Sequence, residues 1–231
     1  MLRMSCIFTL NETIAKMKPI YLKLSKPFEK LPATASRFWG NPSLPEDMEW
    51  PCYTDDDGNE LDYVFVCQIN LKELAPYDTA HLLPSSGLLL FFARIDHYLG
   101  HFEYESVGGA ISSKDAVRII YLPSTDGLVE KVLVDENDNP ISPEELQIGF
   151  TYDFDPLRDD DTCLFARPDH REWETWDHPY EDWLILLQVD SFAGMDFNLN
   201  FMDFGVLDFL ISPLDLRKAD FSGVRAIVLS S

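Results

Sequence analysis

The sequence predicts an α+β fold that is strand-rich and internally duplicated, and three observations carry that prediction. Three blocks recur in one order: Gln68-Ile69-Asn70 with Gln188-Val189-Asp190, "SGLLLFF" (86–92) with "FGVLDFL" (204–210), and "AVRIIYLPS" (116–124) with "GVRAIVLSS" (223–231). One such match is chance, whereas three in order at offsets of 120, 118 and 107 indicate a copied unit whose second version has shorter connections. Each block is also a short run rich in Val, Ile, Leu and Phe, bounded by Gly, Pro, Ser or Asp, which is how strands read. Helix start signals, finally, are few.

Taken in order, Asn11 predicts a capped helix running to about Lys18, ahead of Pro19. "YVFVCQIN" (63–70) is a strand, and Asn70 caps a short helical turn, "NLKEL", that stops before Pro76. Gly87 opens the middle strand, where a residue of free φ is useful, and Gly205 does so in the second copy. Leu88–Phe92 is apolar on both faces and so belongs in the centre of a sheet. Asp208 stands where Leu90 stood, so one face of the second copy is expected to meet solvent or a polar partner. Arg118 and Arg225 are each the second residue of the third strand, beside apolar neighbours, and are expected to pair with carboxylates of the repeat. "SPEEL" (142–146) and "SPLDLRK" (212–218) share Ser at N-cap, Pro at N1 and an acid at N3, which predicts two further short helices. The halves thus run from about 20–123 and 163–231. They are joined by 124–162, which holds the hairpin strand "LVEKVLV" and the acidic loops "DENDNP" and "RDDDT", and the whole forms one domain.

Gln68 and Gln188 each close an apolar run. A side-chain amide both donates and accepts, and leaving one buried without partners costs ~1–3 kcal/mol. Both glutamines are therefore read as braces for nearby backbone rather than as chemical tools.

A chain of 231 residues buries a sizeable core. Its charge is unusual: 40 acidic residues against 18 basic give a net of -22. Residues 1–40 carry seven Lys/Arg and two Glu, a balance of +5, and the remainder carries eleven basic and thirty-eight acidic, a balance of -27. Such a field repels nucleic acid and anionic lipid and attracts basic proteins. Cys6, Cys52, Cys67 and Cys163 form no CxxC, so no zinc ribbon or thioredoxin-type motif is read. The apolar stretch near the start is short for a signal peptide, and no run reaches the ~18 residues of a membrane span. The expected location is cytoplasmic.

The stretches "SRFWGNPSLPEDMEWP" (36–51), "FVCQINLKEL" (65–74), "LPSSGLLLFF" (83–92), "LILLQVD" (184–190) and "GVLDFLISPLDLRKADFSGVRAIVLSS" (205–231) are similar to a known pattern. Through Ser36, Arg37, Gly40, Pro42, Trp50, Pro51, Gln68, Asn70, Gly87, Gln188 and Asp190 the chain resembles the YwqG-like family of uncharacterised bacterial proteins. The resemblance spans roughly residues 36–231. It implies an α+β fold dominated by strands and a setting near bacterial toxin and immunity loci, and it brings no catalytic residue. One departure stands out: "RPDHREWETWDHPYEDW" (167–183) replaces the family's His-x-Leu-x-Gly-x-Pro element.

Sites for chemistry are few. Asp135, Asn137 and Asn139 begin like a calcium loop, but Pro140 replaces the required Gly and Leu146 the required Glu. His97 and His101 lack an HExxH context, and His170 and His178 each follow an Asp without metal-ligand spacing. There is no GxSxG and no phosphate loop. No cofactor, metal or catalytic residue is expected. The surface candidate is an acidic, aromatic face built from Asp159, Asp160, Asp161, Trp173, Trp176 and Tyr180, since aromatic anchors ringed by charge mark protein interfaces.

The expected function is accordingly a non-enzymatic protein-binding module, in its sharpest form an immunity-type inhibitor covering a basic toxin. A metal-assisted hydrolase using Asp and His of 153–178 is one alternative, and a small-ligand binder between the two halves is another.

Overall fold

The structure is a computed structural model that describes residues 18–95, 107–154, 162–166, 178–191 and 205–229. Its strands are β1 (Ile20–Ser25), β2 (Arg37–Phe38), β3 (Ser43–Pro45), β4 (Cys52–Thr54), β5 (Glu60–Asp62), β6 (Val64–Asn70), β7 (Leu88–Ala93) and β8 (Val117–Leu122). They continue with β9 (Leu128–Glu130), β10 (Leu146–Thr151), β11 (Cys163–Leu164), β12 (Leu184–Asp190), β13 (Val206–Ile211) and β14 (Arg225–Leu229). Helix α1 (Leu71–Leu74) and helix α2 (Pro213–Arg217) are short, so the described fold is mostly β. Asn70 caps α1 by accepting from Lys72 N, and Ser212 caps α2 by accepting from Asp215 N, with Pro213 opening the helix.

Ten strands form one antiparallel sheet in the order β14-β13-β12-β11-β1-β10-β2-β6-β7-β8, and β3–β9 and β4–β5 form two small ribbons. The large sheet curls until it is nearly closed. Its β14 edge is bonded to the segment that leads into β8 at the other end, through Ser112 N to Ala226 O (2.8 Å) and Val228 N to Gly108 O (2.9 Å). Period-two alternation then sends one residue set of every strand inward. Leu22, Phe38, Ile69, Phe91, Ile148 and Phe209 belong to that single large core, and the Phe91 and Phe209 rings meet edge-on at 5.3 Å. The opposite face is covered twice. Leu88, Leu90 and Phe92 pack with Tyr63 and Leu44 on one side, and Ile185, Leu210 and Ile227 pack with Cys163 and Tyr180 on the other.

The two ends of the sheet repeat in register. Gln68 faces Leu90 and Gln188 faces Asp208, and the neighbouring pairs follow at the same steps. A bulge falls between Phe65 and Cys67 in β6 and between Ile185 and Leu187 in β12. Leu90 faces Ile120, and Asp208 faces Ile227. The correspondence also reaches the short strands: Arg37 pairs Gln68 where Cys163 pairs Gln188. Trp39 and Phe165 both take left-handed backbone, φ 56 and φ 55, and their N–H groups donate to Val66 O and Leu186 O. Ser36 Oγ accepts from Asn70 N at 2.8 Å, and Thr162 Oγ1 accepts from Asp190 N at 3.1 Å. At the middle, Leu22 pairs Phe150 and Leu24 pairs Ile148 about the central Lys23–Gly149 pair.

Two expectations are corrected. Beyond the expected hairpin strand, which holds β9, the segment 124–162 supplies the central strand β10. "SPEEL" forms no helix. Glu145 instead accepts from Leu31 N and pairs with Arg37, and Leu146 enters β10 opposite Phe38. Asp208, expected to meet solvent or a polar partner, is fully buried opposite Gln188. The expected helix after Asn11 lies outside the described residues.

Candidate functional site

The motif residues of the amino-terminal half form a buried polar knot. Gln68 is fully buried; its Oε1 accepts from Ser43 N at 3.0 Å, and its Nε2 donates to Ala33 O and Ala35 O, both at 2.8 Å. Asn70 Nδ2 donates to Thr34 O, so the loop 33–36 is tied to the end of β6. Arg37 is also fully buried. Its guanidinium reaches Glu145 at 2.9 Å, Glu130 at 3.3 Å and Pro32 O at 2.5 Å. A buried cation needs such company, because desolvating it alone costs several kcal/mol. This knot is largely buried and densely bonded, though Arg37 Nε and Ser43 Oγ have no partner among the described residues, and it fits scaffolding rather than exchange with solvent.

A cleft opens on the outer face of β6–β8. Its volume is about 730 Å³, and its lining includes Trp50, Tyr53, Tyr63, Arg94, Arg118 and Ile120, together with Glu49, Cys52 and Asp115. Strand geometry places the two arginines together. Phe92 faces Arg118 across β7 and β8, and Arg94 N donates to Ala116 O, so Arg94 and Arg118 are diagonal neighbours on one face. The Arg94 guanidinium lies 3.9 Å from the Tyr53 ring centroid and 5.9 Å from that of Tyr63. A cation over an aromatic face is held by the ring's quadrupole. Its buried Nε has no hydrogen-bond acceptor among the described residues. The aromatic walls are fixed: Tyr63 Oη donates to Asp115 O at 2.6 Å, Trp50 Nε1 donates to Tyr63 O at 2.9 Å, and the Trp50 ring stands edge-on to Phe92 at 5.8 Å.

Cys52 also lines the cleft. Its Sγ donates to Glu60 Oε1 at 2.8 Å, and that hydrogen bond, with the nearby carboxylate charges, holds the thiol above its ordinary range. Burial pushes the Cys67 thiol up much further. Among the described residues, no group of three His, Cys, Asp or Glu is arranged to hold a metal ion. Asp135 spends its carboxylate on Asn137 N, Asn139 N and Asn139 Nδ2, and these bonds hold its pKa below the ordinary value.

Arg118 lines the cleft and pairs with no carboxylate among the described residues, contrary to expectation, and Arg225 donates to Gly223 O at 3.0 Å and to Val224 O. Gly87 takes φ +98, and a Cβ there would collide with Leu122 O. Gly205 accepts from Ser191 N just as Gly87 accepts from Leu71 N. Gln188 is buried beside Asp208, and Asp190 ends β12. Of the acidic, aromatic face, Tyr180 is described: it packs on Trp183, ring centroids 5.0 Å apart. Asp159, Asp160, Asp161, Trp173 and Trp176 lie outside the described residues, as do His97, His101 and His170. Sequence reasoning missed Arg94, because it follows an apolar strand with no motif around it; its face follows from the two-residue step from Phe92, which shares the outer face with Arg118.

The fold and the cleft define an antiparallel β protein with a nearly closed sheet and an arginine-bearing, aromatic-walled surface recess. A family described as a domain of unknown function, DUF1963, matches residues 36–162 and 162–228, and the chain belongs to that family. The match agrees with the resemblance at the level of an uncharacterised family. No curated protein matches the chain.

Proposed function

We propose that this protein is a non-enzymatic binding module whose recognition site is the Arg94–Arg118 cleft. The observation that carries the reading is that both guanidiniums sit in an aromatic recess with no acceptor or ion-pair partner among the described residues, within a chain of net charge -22. Arg37, by contrast, is held inside the framework by Glu130 and Glu145. The Cys52 thiol donates to Glu60, which raises its pKa and makes it a poor source of thiolate near neutral pH, so the reading rests on the arginines. Native mass spectrometry of protein isolated from the cells that make it tests the reading. The expected result is a discrete added mass that disappears in the R94Q/R118Q double variant. The bare mass in every preparation overturns it.

A second reading, an immunity-type inhibitor of a basic toxin, is favoured by the net charge of -22, which speeds encounter with a cationic partner. Co-expression with a toxin encoded beside this gene should restore growth, and neutralising Asp159, Asp160 and Asp161 should abolish the rescue. Unchanged rescue removes that face from the reading.

The duplication belongs to the same proposal, with the repeated unit taken as β1-β2-β6-β7-β8 followed by β10-β11-β12-β13-β14. Matching registers, matching bulges and the left-handed pair Trp39 and Phe165 support it. In this view the first strand of each unit is exchanged, β1 lying against β11 and β10 against β2. A cytoplasmic location completes the proposal and accords with free thiols at Cys52, Cys67 and Cys163. No helix among the described residues is long and apolar enough to cross a membrane.

A further inference from the structure

We infer that the cleft takes a singly charged carboxylate borne on a flat apolar ring, an inference that rests on the binding-module reading above. The polar half of the argument starts from Arg94. One face of its guanidinium is covered by Tyr53 at 3.9 Å, the in-plane N–H edge is the part suited to an anion, and the Nε is buried with no acceptor among the described residues. A guanidinium edge is a planar fork that matches the two oxygens of a carboxylate. Exposed Arg118, the diagonal neighbour on β8, stands at the open side of the same recess. Tyr63 Oη and Trp50 Nε1 are already engaged with backbone carbonyls, so these two walls present ring face, and the cationic groups that line the cleft are the two arginines.

Charge decides between anions. Glu49 and Asp115 line the cleft with the two arginines, a local balance of zero, and the whole chain carries -22. Each added negative charge on a ligand is opposed by that field. A phosphate monoester brings close to two charges at neutral pH, a carboxylate one, so the carboxylate is favoured although both have suitable oxygens. The volume of about 730 Å³ admits a one- or two-ring body, within the range of small-molecule sites.

The matching place in the second half of the sheet supports a dedicated role. Ser212 stands where Arg94 would recur and caps α2, and Arg225 is bonded to the carbonyls of Gly223 and Val224. Positions that hold the sheet together repeat, whereas the arginine fork does not.

The test is calorimetric titration of the full chain with benzoate, 2-naphthoate and indole-3-carboxylate, each beside its uncharged carboxamide, and with AMP and inorganic phosphate. At least one acid should bind with Kd below about 1 mM. Its amide should bind at least about tenfold more weakly, and R94Q and R118Q should each lose about tenfold or more. Ligand-free melting of both variants close to that of the parent chain shows that they fold. An amide equal to its acid overturns the inference, as does full affinity in R94Q. Tighter binding of AMP than of every acid overturns the carboxylate assignment and leaves the binding-module reading standing. No binding by any probe overturns the inference, and the added mass sought by mass spectrometry then decides the broader reading separately.

Discussion

Replacing Gln68 with Leu removes one side chain and strands three backbone groups. Ser43 N–H loses its only described acceptor inside a buried bond of 3.0 Å, and the carbonyls of Ala33 and Ala35 lose donors at 2.8 Å in partly buried positions. Each stranded buried group costs ~1–3 kcal/mol. The buried N–H is charged near the top of that range and the two partly hydrated carbonyls near the bottom, and the apolar Leu recovers part of the total. The net loss is about 3 kcal/mol, or roughly 6–12 °C in Tm for a chain of this length. Urea unfolding followed by tryptophan fluorescence measures it, with the exposed Gln147 of β10 changed to Leu as the control, expected within about 0.5 kcal/mol. A Q68L loss below about 1 kcal/mol at unchanged denaturant slope would refute the brace, since it would mean that water or a neighbour satisfies these groups as well as the amide does.

Gly87→Ala forces a Cβ into Leu122 O at φ +98 and should cost more than about 2 kcal/mol, whereas Gly127→Ala, at φ +69 with nothing nearby, should cost only the ~1–2 kcal/mol of left-handed backbone; thermal melts of the pair separate collision from strain. Arg37→Met leaves Glu130 and Glu145 facing each other without their shared cation. Because those side chains are 15% and 18% exposed, the loss should sit at the low end of a broken buried pair, about 3 kcal/mol by urea unfolding. In a C6S background, Cys52 should be labelled by a thiol reagent slowly at pH 7 and faster as pH rises toward its raised pKa; Glu60→Gln should lower that pKa and quicken labelling at pH 8, and an unchanged rate would deny the Glu60 bond its effect.

What was legible in the sequence was whatever repeats at short range. The Gln-Ile-Asn and Gln-Val-Asp strand ends, the middle strands opened by Gly87 and Gly205 and the caps Asn70 and Ser212 are local patterns, and the strands and caps appear where those patterns sit. "SPEEL" failed because a distant cation outweighed a local start signal, Arg37 drawing Glu145 away from any capping role. β10 was passed over because "LQIGFT" is short and split by Gly149, and its place beside β1 depends on partners more than a hundred residues away. The cleft was invisible for the same reason: Tyr53, Arg94 and Arg118 come from three separate strand regions, and only the sheet brings them onto one face.

The position of β1 has a consequence for how the chain is made. Residues 20–25 leave the ribosome early, yet both of their neighbours, β10 and β11, are translated more than a hundred residues later. Until residue 164 has emerged, the apolar side of β1, with Ile20, Leu22 and Leu24, has nowhere to go in the finished sheet. Closure of the sheet around β1 therefore waits for more than a hundred further residues, and the nascent chain should depend on holding chaperones over that interval.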